Sequence, residues 1–152
     1  LNFCEIKEKA LSYYDRNYNI ASQFLEGAKI MSSKTWYCLA IFLLHQSTEY
    51  FLKTIPLVYI LYRYKDHDPD ELIKKNKLHT KEVVTVFPRN TPEEKRLFKL
   101  LQRAYVEARY NDEFVVTKED IDALVPKIEL LRDIVEKVCK ERFDYYDQQI
   151  KK

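Results

Sequence analysis

The sequence predicts an all-α protein, an up-and-down four-helix bundle with one extra short helix in its longest connection. Three observations predict it. Gly27 is the only glycine among 152 residues, and folds rich in tight turns need glycine where φ is positive. Apolar residues recur at steps of three and four over four long segments, the period of a helix with one buried face. Two of those segments open on a capping signature.

The first segment runs from residue 3 to about 31. Phe3, Ile6, Ala10, Tyr13, Asn17, Ala21, Phe24 and Ala28 trace one stripe. Ser32 and Ser33 break it and offer an N-cap for the next helix. The second helix spans 35 to about 63 and is apolar nearly all round at its start, which predicts the most buried helix. Pro56 inside it removes one backbone donor, so a kink or local break is expected near Leu52–Pro56.

Residues 64–92 read as a polar, irregular and mobile connection, with short helical pieces near Pro69–Lys75 and Lys81–Val86. Thr91-Pro92-Glu93-Glu94 places Thr at the N-cap, Pro at the first helical position and Glu two residues on. The third long helix follows, with Leu97, Leu100, Leu101, Ala104, Tyr105 and Ala108 on one stripe, and ends near Asn111. Thr117 and Asp120 repeat the box before the fourth, whose tail from Tyr145 is expected to fray. Short links make helices one and two, and three and four, antiparallel pairs.

Composition excludes several functions. One glycine leaves no Walker loop and no dinucleotide-binding turn. Twenty-six Lys and Arg against 24 Asp and Glu give a net charge of +2, far from the strongly basic balance of bulk nucleic-acid binders. The apolar runs Trp36–Leu44 and Ile55–Tyr62 are split by His45–Glu49 and Lys53, too short to span a membrane. Cys4, Cys38 and Cys139 are dispersed, which implies free thiols in a reducing compartment, the cytoplasm. The chain starts Leu1-Asn2-Phe3, so a single domain excised from a longer protein is expected over 1–152.

Two sets of residues carry chemistry. His45 and Glu49 share a helix face at i, i+4, and Gln46 and Lys53 extend a polar row. No second His/Glu pair completes a metal site, so no metal or other cofactor is expected. A buried Glu49 needs a cationic partner, in its own helix or across to another. The second set is Tyr105, Arg109, Tyr110 and Asn111 at the end of the third long helix. Arg109 can hold a phosphate or pair with Glu49, and the tyrosines can stack a base or simply pack. Lys53 is counted with this phosphate-binding set. Lys74, Lys75, Lys77, Lys81 and Arg89 form a basic cluster that ordinarily reads as a solvated face.

The run Leu44-His45-Gln46-Ser47-Thr48-Glu49-Tyr50-Phe51-Leu52-Lys53, the loop His67, Ala104-Tyr105, Ala108-Arg109-Tyr110 and the closing helix Asp120–Cys139 together resemble HEPN domains, the higher eukaryote and prokaryote nucleotide-binding family. The resemblance covers roughly residues 3–142. It implies a helical bundle, often a homodimer, fused to or encoded beside a minimal nucleotidyltransferase. Many members are toxin-like RNases with Arg, four to six residues, then His. Here Arg109 takes the Arg position, and the His would fall on Phe114, Val115 or Val116, so the RNase motif is broken. The Ala-Arg-Tyr version is similar to a non-catalytic, nucleotide-binding branch that includes the HEPN domain of sacsin. The expectation is a non-catalytic, dimeric domain binding nucleotide or RNA phosphate. Its rivals are an RNase that uses His67, and a purely structural dimerisation module.

Overall fold

The computed structural model describes residues 1–152 as five α-helices and no strand. They are α1 (Phe3–Ser33), α2 (Tyr37–Ile60), α3 (Pro69–Asn76), α4 (Pro92–Tyr110) and α5 (Lys118–Ile150), with a 3₁₀ turn over Glu82–Thr85. The four long helices are those the apolar periodicity predicts, and α3 falls on the short piece expected near Pro69–Lys75. No helix is long and apolar enough to cross a membrane.

α2 is the hub, and α1, α3, α4 and α5 all pack on it. Every residue from Phe51 to Val58 is buried, Lys53 and Thr54 of the polar side included, so this half of α2 is enclosed all round. Its buried hydroxyls are satisfied. Ser47 donates to the Ala21 carbonyl of α1 at 2.8 Å, and Thr48 donates to Leu44. Pro56 does not break the helix. The Leu52 carbonyl, which Pro56 cannot serve, accepts the side-chain amide of Asn76 at 2.8 Å. A residue of α3 thus replaces the missing rung.

α1 lies antiparallel to α5, with Tyr18 donating to Glu136 and Lys29 pairing with Glu129. Both capping boxes form with both hydrogen bonds, at Thr91/Glu94 and Thr117/Asp120. α4 and α5 meet antiparallel only near their starts, where Arg96 bridges Asp120 at 2.7 Å and Leu97 lies near Leu124. The C-terminal half of α4 therefore runs past α5, supported by α2, and leaves Val106 and Tyr110 exposed.

Four expectations are corrected. Ser32 and Ser33 belong to the last turn of α1, and α2 starts at Tyr37 with no side-chain cap. α2 ends at Ile60, because Leu61 turns into the left-handed region at φ 55°. The 64–92 connection is not merely polar, since Leu72, Ile73, Val83, Val86 and Phe87 join the core. The tail does not fray. α5 continues to Ile150 because Tyr146 is buried and its hydroxyl donates to the Val58 carbonyl at 2.6 Å.

Candidate functional site

The site forms where the 61–68 segment crosses α2 and meets the free half of α4. The left-handed turn at Leu61 sends the chain back along α2. Asp68 then caps α3 by accepting from the Asp70 N–H, and also accepts from Gln102 of α4 at 2.9 Å. These two ties set His67 above Glu49. Glu49 is only 5% exposed. Its Oε2 accepts from Lys53 Nζ at 2.8 Å, and its Oε1 lies 2.9 Å from His67 Nδ1. An ionised carboxylate accepts only, so Nδ1–H is the donor, which leaves Nε2 outside this bond. The His67 side chain is 49% exposed.

Tyr105 of α4 covers the other side of this pair. The His67 and Tyr105 rings stack at 4.4 Å with 15° between planes, and His45 lies 5.2 Å from Tyr105. One turn further on, Arg109 donates its Nε–H to the Tyr105 carbonyl at 2.9 Å. Its guanidinium carbon sits 4.8 Å from the Tyr105 ring, 4.9 Å from Phe42 and 5.0 Å from Tyr110. Arg109 does not pair with Glu49, whose oxygens are taken by Lys53 and His67. It stands at the C-terminal end of α4, where the helix dipole favours a cation, held by rings and a carbonyl rather than by an acid.

The remaining sequence candidates separate into support and periphery. His45 is fully buried, and burial pushes its pKa down to about 4, so it is neutral. Its Nδ1 lies 3.4 Å from the Gln46 amide. The Lys53 ammonium is buried and spent on Glu49, so it cannot reach a phosphate. Asn111 caps α4 and turns its side chain to Glu107 and the Glu113 N–H, away from Arg109. Phe114 and Val116, where a family histidine would fall, are buried, and Val115 is exposed. In the basic cluster, Lys74 pairs with Asp70 and Glu71, Lys75 with Asp66 and Arg89 with Asp70.

Two partnerships escape sequence reasoning. Phe42 as a wall of the Arg109 site has no local signal, because an apolar residue in an apolar helix is unmarked. The Glu49–His67 bond joins residues 18 apart, and only the chain reversal at Leu61 brings them together. Chemically, the cluster offers a cation for an oxyanion, a stacked aromatic surface and a half-exposed imidazole.

The family model for the HEPN domain matches residues 14–138, a span that contains every side chain of this cluster. The chain belongs to the HEPN family. Comparison with curated proteins gives no match.

Proposed function

We propose that this chain is a non-catalytic HEPN module that dimerises and binds a nucleotide or RNA phosphate at Arg109, beside Tyr105, Tyr110 and His67. It binds nucleotide in the manner of the sacsin-like branch and works with a nucleotidyltransferase domain in cis or trans, and a cytoplasmic setting suits its three free thiols. The observation that carries the binding reading is the state of Arg109. Its guanidinium is fixed by three aromatic rings and one carbonyl, and no carboxylate neutralises it. A held fork with donors to spare suits a phosphate. Dimerisation is supported by exposed apolar side chains around the same end of the bundle, among them Leu39, Val106, Tyr110 and Val115. The absence of catalysis rests on Phe114, Val115 and Val116, none of which titrates.

Calorimetric titration of ATP, GTP and a short single-stranded RNA against wild type and Arg109→Lys tests the reading. Arg109→Lys keeps the charge but loses the fork, and binding should fall at least about tenfold. Equal affinities, or no binding by either protein, would leave Arg109 structural and the domain a dimerisation module.

One observation favours a second reading, an RNase with a non-standard site. Buried Glu49 orients His67 as a carboxylate orients a catalytic imidazole, with Arg109 one tyrosine away. That reading requires RNA cleavage lost in both His67→Ala and Arg109→Ala. The non-catalytic reading requires background cleavage throughout.

A further inference from the structure

α4 borders a cleft that the Arg109 cluster does not use. Arg96, Lys99 and Arg103 stand at steps of three and four along the helix and line one wall. Glu113, Phe114 and Val115 of the following loop line the other. The cleft is open and holds about 360 Å³, room for a ligand of nucleotide size. Phe114 is buried, and the Arg103 guanidinium carbon lies 5.4 Å from its ring.

Three cations therefore share one cavity with a single acid, Glu113. Lys99 is exposed and makes no ion pair. Arg96 and Arg103 are held by carboxylates that do not line the cleft, Arg96 by Glu93 and Asp120, Arg103 by Glu107. Those bonds run through Nε and Nη2, so Nη1 of both guanidinium groups stays uncommitted. The two side chains are 49% and 45% exposed, so a solute reaches them. An exposed pair such as Arg103–Glu107 is worth little, and a phosphate can share its cation at small cost. With Phe114 buried, the cleft offers charge without a ring on which a base could stack. That suits a sugar–phosphate backbone rather than a nucleobase.

Arg103 precedes Arg109 by six residues, about 9 Å along α4, and Arg96 precedes it by thirteen, about 20 Å. Val115 joins the cleft to the exposed apolar region of Tyr110, the ring beside Arg109. We propose that this cleft holds backbone phosphates of a single-stranded RNA that also reaches Arg109. The inference rests on the reading of Arg109 as a phosphate site and narrows it, since a mononucleotide fills one of the two positions and a strand fills both. A net charge of only +2 is compatible with it, because one local row of cations does the binding rather than a basic surface.

Fluorescence anisotropy with a labelled single-stranded RNA of about eight nucleotides, beside calorimetry with AMP, decides it. Lys99→Gln with Arg103→Gln should weaken RNA binding at least about tenfold, flatten its dependence on log salt concentration by about one to two, and leave AMP affinity unchanged. If the double variant does not fold, Lys99→Gln alone, which breaks no ion pair, should give a smaller loss and a slope change of about one. Lys137→Gln with Lys140→Gln removes the same charge from α5 and should leave RNA binding as it is. An equal loss there would reduce the cleft to bulk electrostatics and overturn it. Cleft variants that bind RNA like wild type overturn the cleft alone, and loss of AMP binding in Arg109→Lys would then keep the reading of Arg109. RNA binding that needs Lys99 and Arg103 but survives Arg109→Lys overturns the shared strand. A poly-glutamate peptide that binds through Lys99 and Arg103 where RNA does not would give the cleft to an acidic protein segment and overturn the proposal.

Discussion

Glu49 Oε1 lies 2.9 Å from His67 Nδ1 while its Oε2 accepts from Lys53 at 2.8 Å. One buried carboxylate therefore holds a cation in its own helix and a histidine on a separate segment. The arrangement couples the core to the surface. The pair with Lys53 keeps a charge tolerable inside α2, and the remaining oxygen fixes the orientation of a half-exposed imidazole. That imidazole in turn stacks on Tyr105, whose carbonyl steadies Arg109.

Glu49→Gln should destabilise the protein by about 3–5 kcal/mol, because it leaves the Lys53 ammonium buried and unpaired. Removing both charges, as Glu49→Leu with Lys53→Met, should recover most of that loss. Urea unfolding of the three proteins measures it. A Glu49→Gln midpoint equal to wild type would mean that water already reaches Lys53.

The bundle is readable in the sequence because its signals are local. Thr91 and Glu94 lie three residues apart and form a box in any context, and the α1 stripe needs only the helical period. The site is less readable because its partners are distant. Arg109 and Tyr105 are one turn apart and emerge together, and His45 and Glu49 emerge as a row. That Glu49 pairs with His67 rather than Arg109 depends on the left-handed Leu61 and on Asp68, which binds α3 and α4 at once. Tyr146 reads as part of a polar tail because Asp147, Gln148 and Gln149 surround it. Its burial against α2 is a tertiary fact.

Asn76 and Pro56 should be coupled. Asn76→Ala removes the donor to the Leu52 carbonyl and leaves a buried acceptor, costing about 1–3 kcal/mol. In a Pro56→Ala background a backbone N–H becomes available to the same carbonyl, so Asn76→Ala should cost distinctly less. A double-mutant cycle by chemical denaturation reads the difference. Additive costs would show that Asn76 acts only through its second bond, to the Leu72 carbonyl.

Stability should fall in mild acid through His45. Its pKa is about 4 in the folded protein against an ordinary 6.5. Between those values the unfolded chain takes up a proton that the folded chain refuses, so acid favours unfolding. The loss begins as pH falls through 6.5 and is complete below 4, amounting to about 3 kcal/mol. His79 is lowered in the same direction and adds a smaller part, since it is partly exposed. Asp70 and Asp120, held low by Arg89 and Arg96, lose their contribution only below the ordinary carboxylate range. Unfolding midpoints at pH 7, 5.5 and 4.5 should therefore drop steeply in wild type and less in His45→Gln. Parallel profiles would place the acid sensitivity elsewhere.

Association should run through the free end of α4. α5 begins too far back to cover this half of the helix, and Val106 and Tyr110 are left 53% and 73% exposed. The start of α2 adds Leu39 at 44%, and Val115 on the following loop adds 74%. These residues share one region, since Cys38 Sγ reaches the Phe114 carbonyl and Arg109 bridges Phe42 to Tyr110. An apolar region of this kind, rimmed by charge, is typical of a protein–protein contact. Size-exclusion chromatography with light scattering should return about twice the 18.4 kDa chain mass. Leu39→Asp with Val115→Asp should return a monomer that unfolds at a similar denaturant concentration, because neither side chain supports the core. A wild type that remains monomeric at tens of micromolar would remove dimerisation from the proposed function and leave Arg109 to act within a single chain.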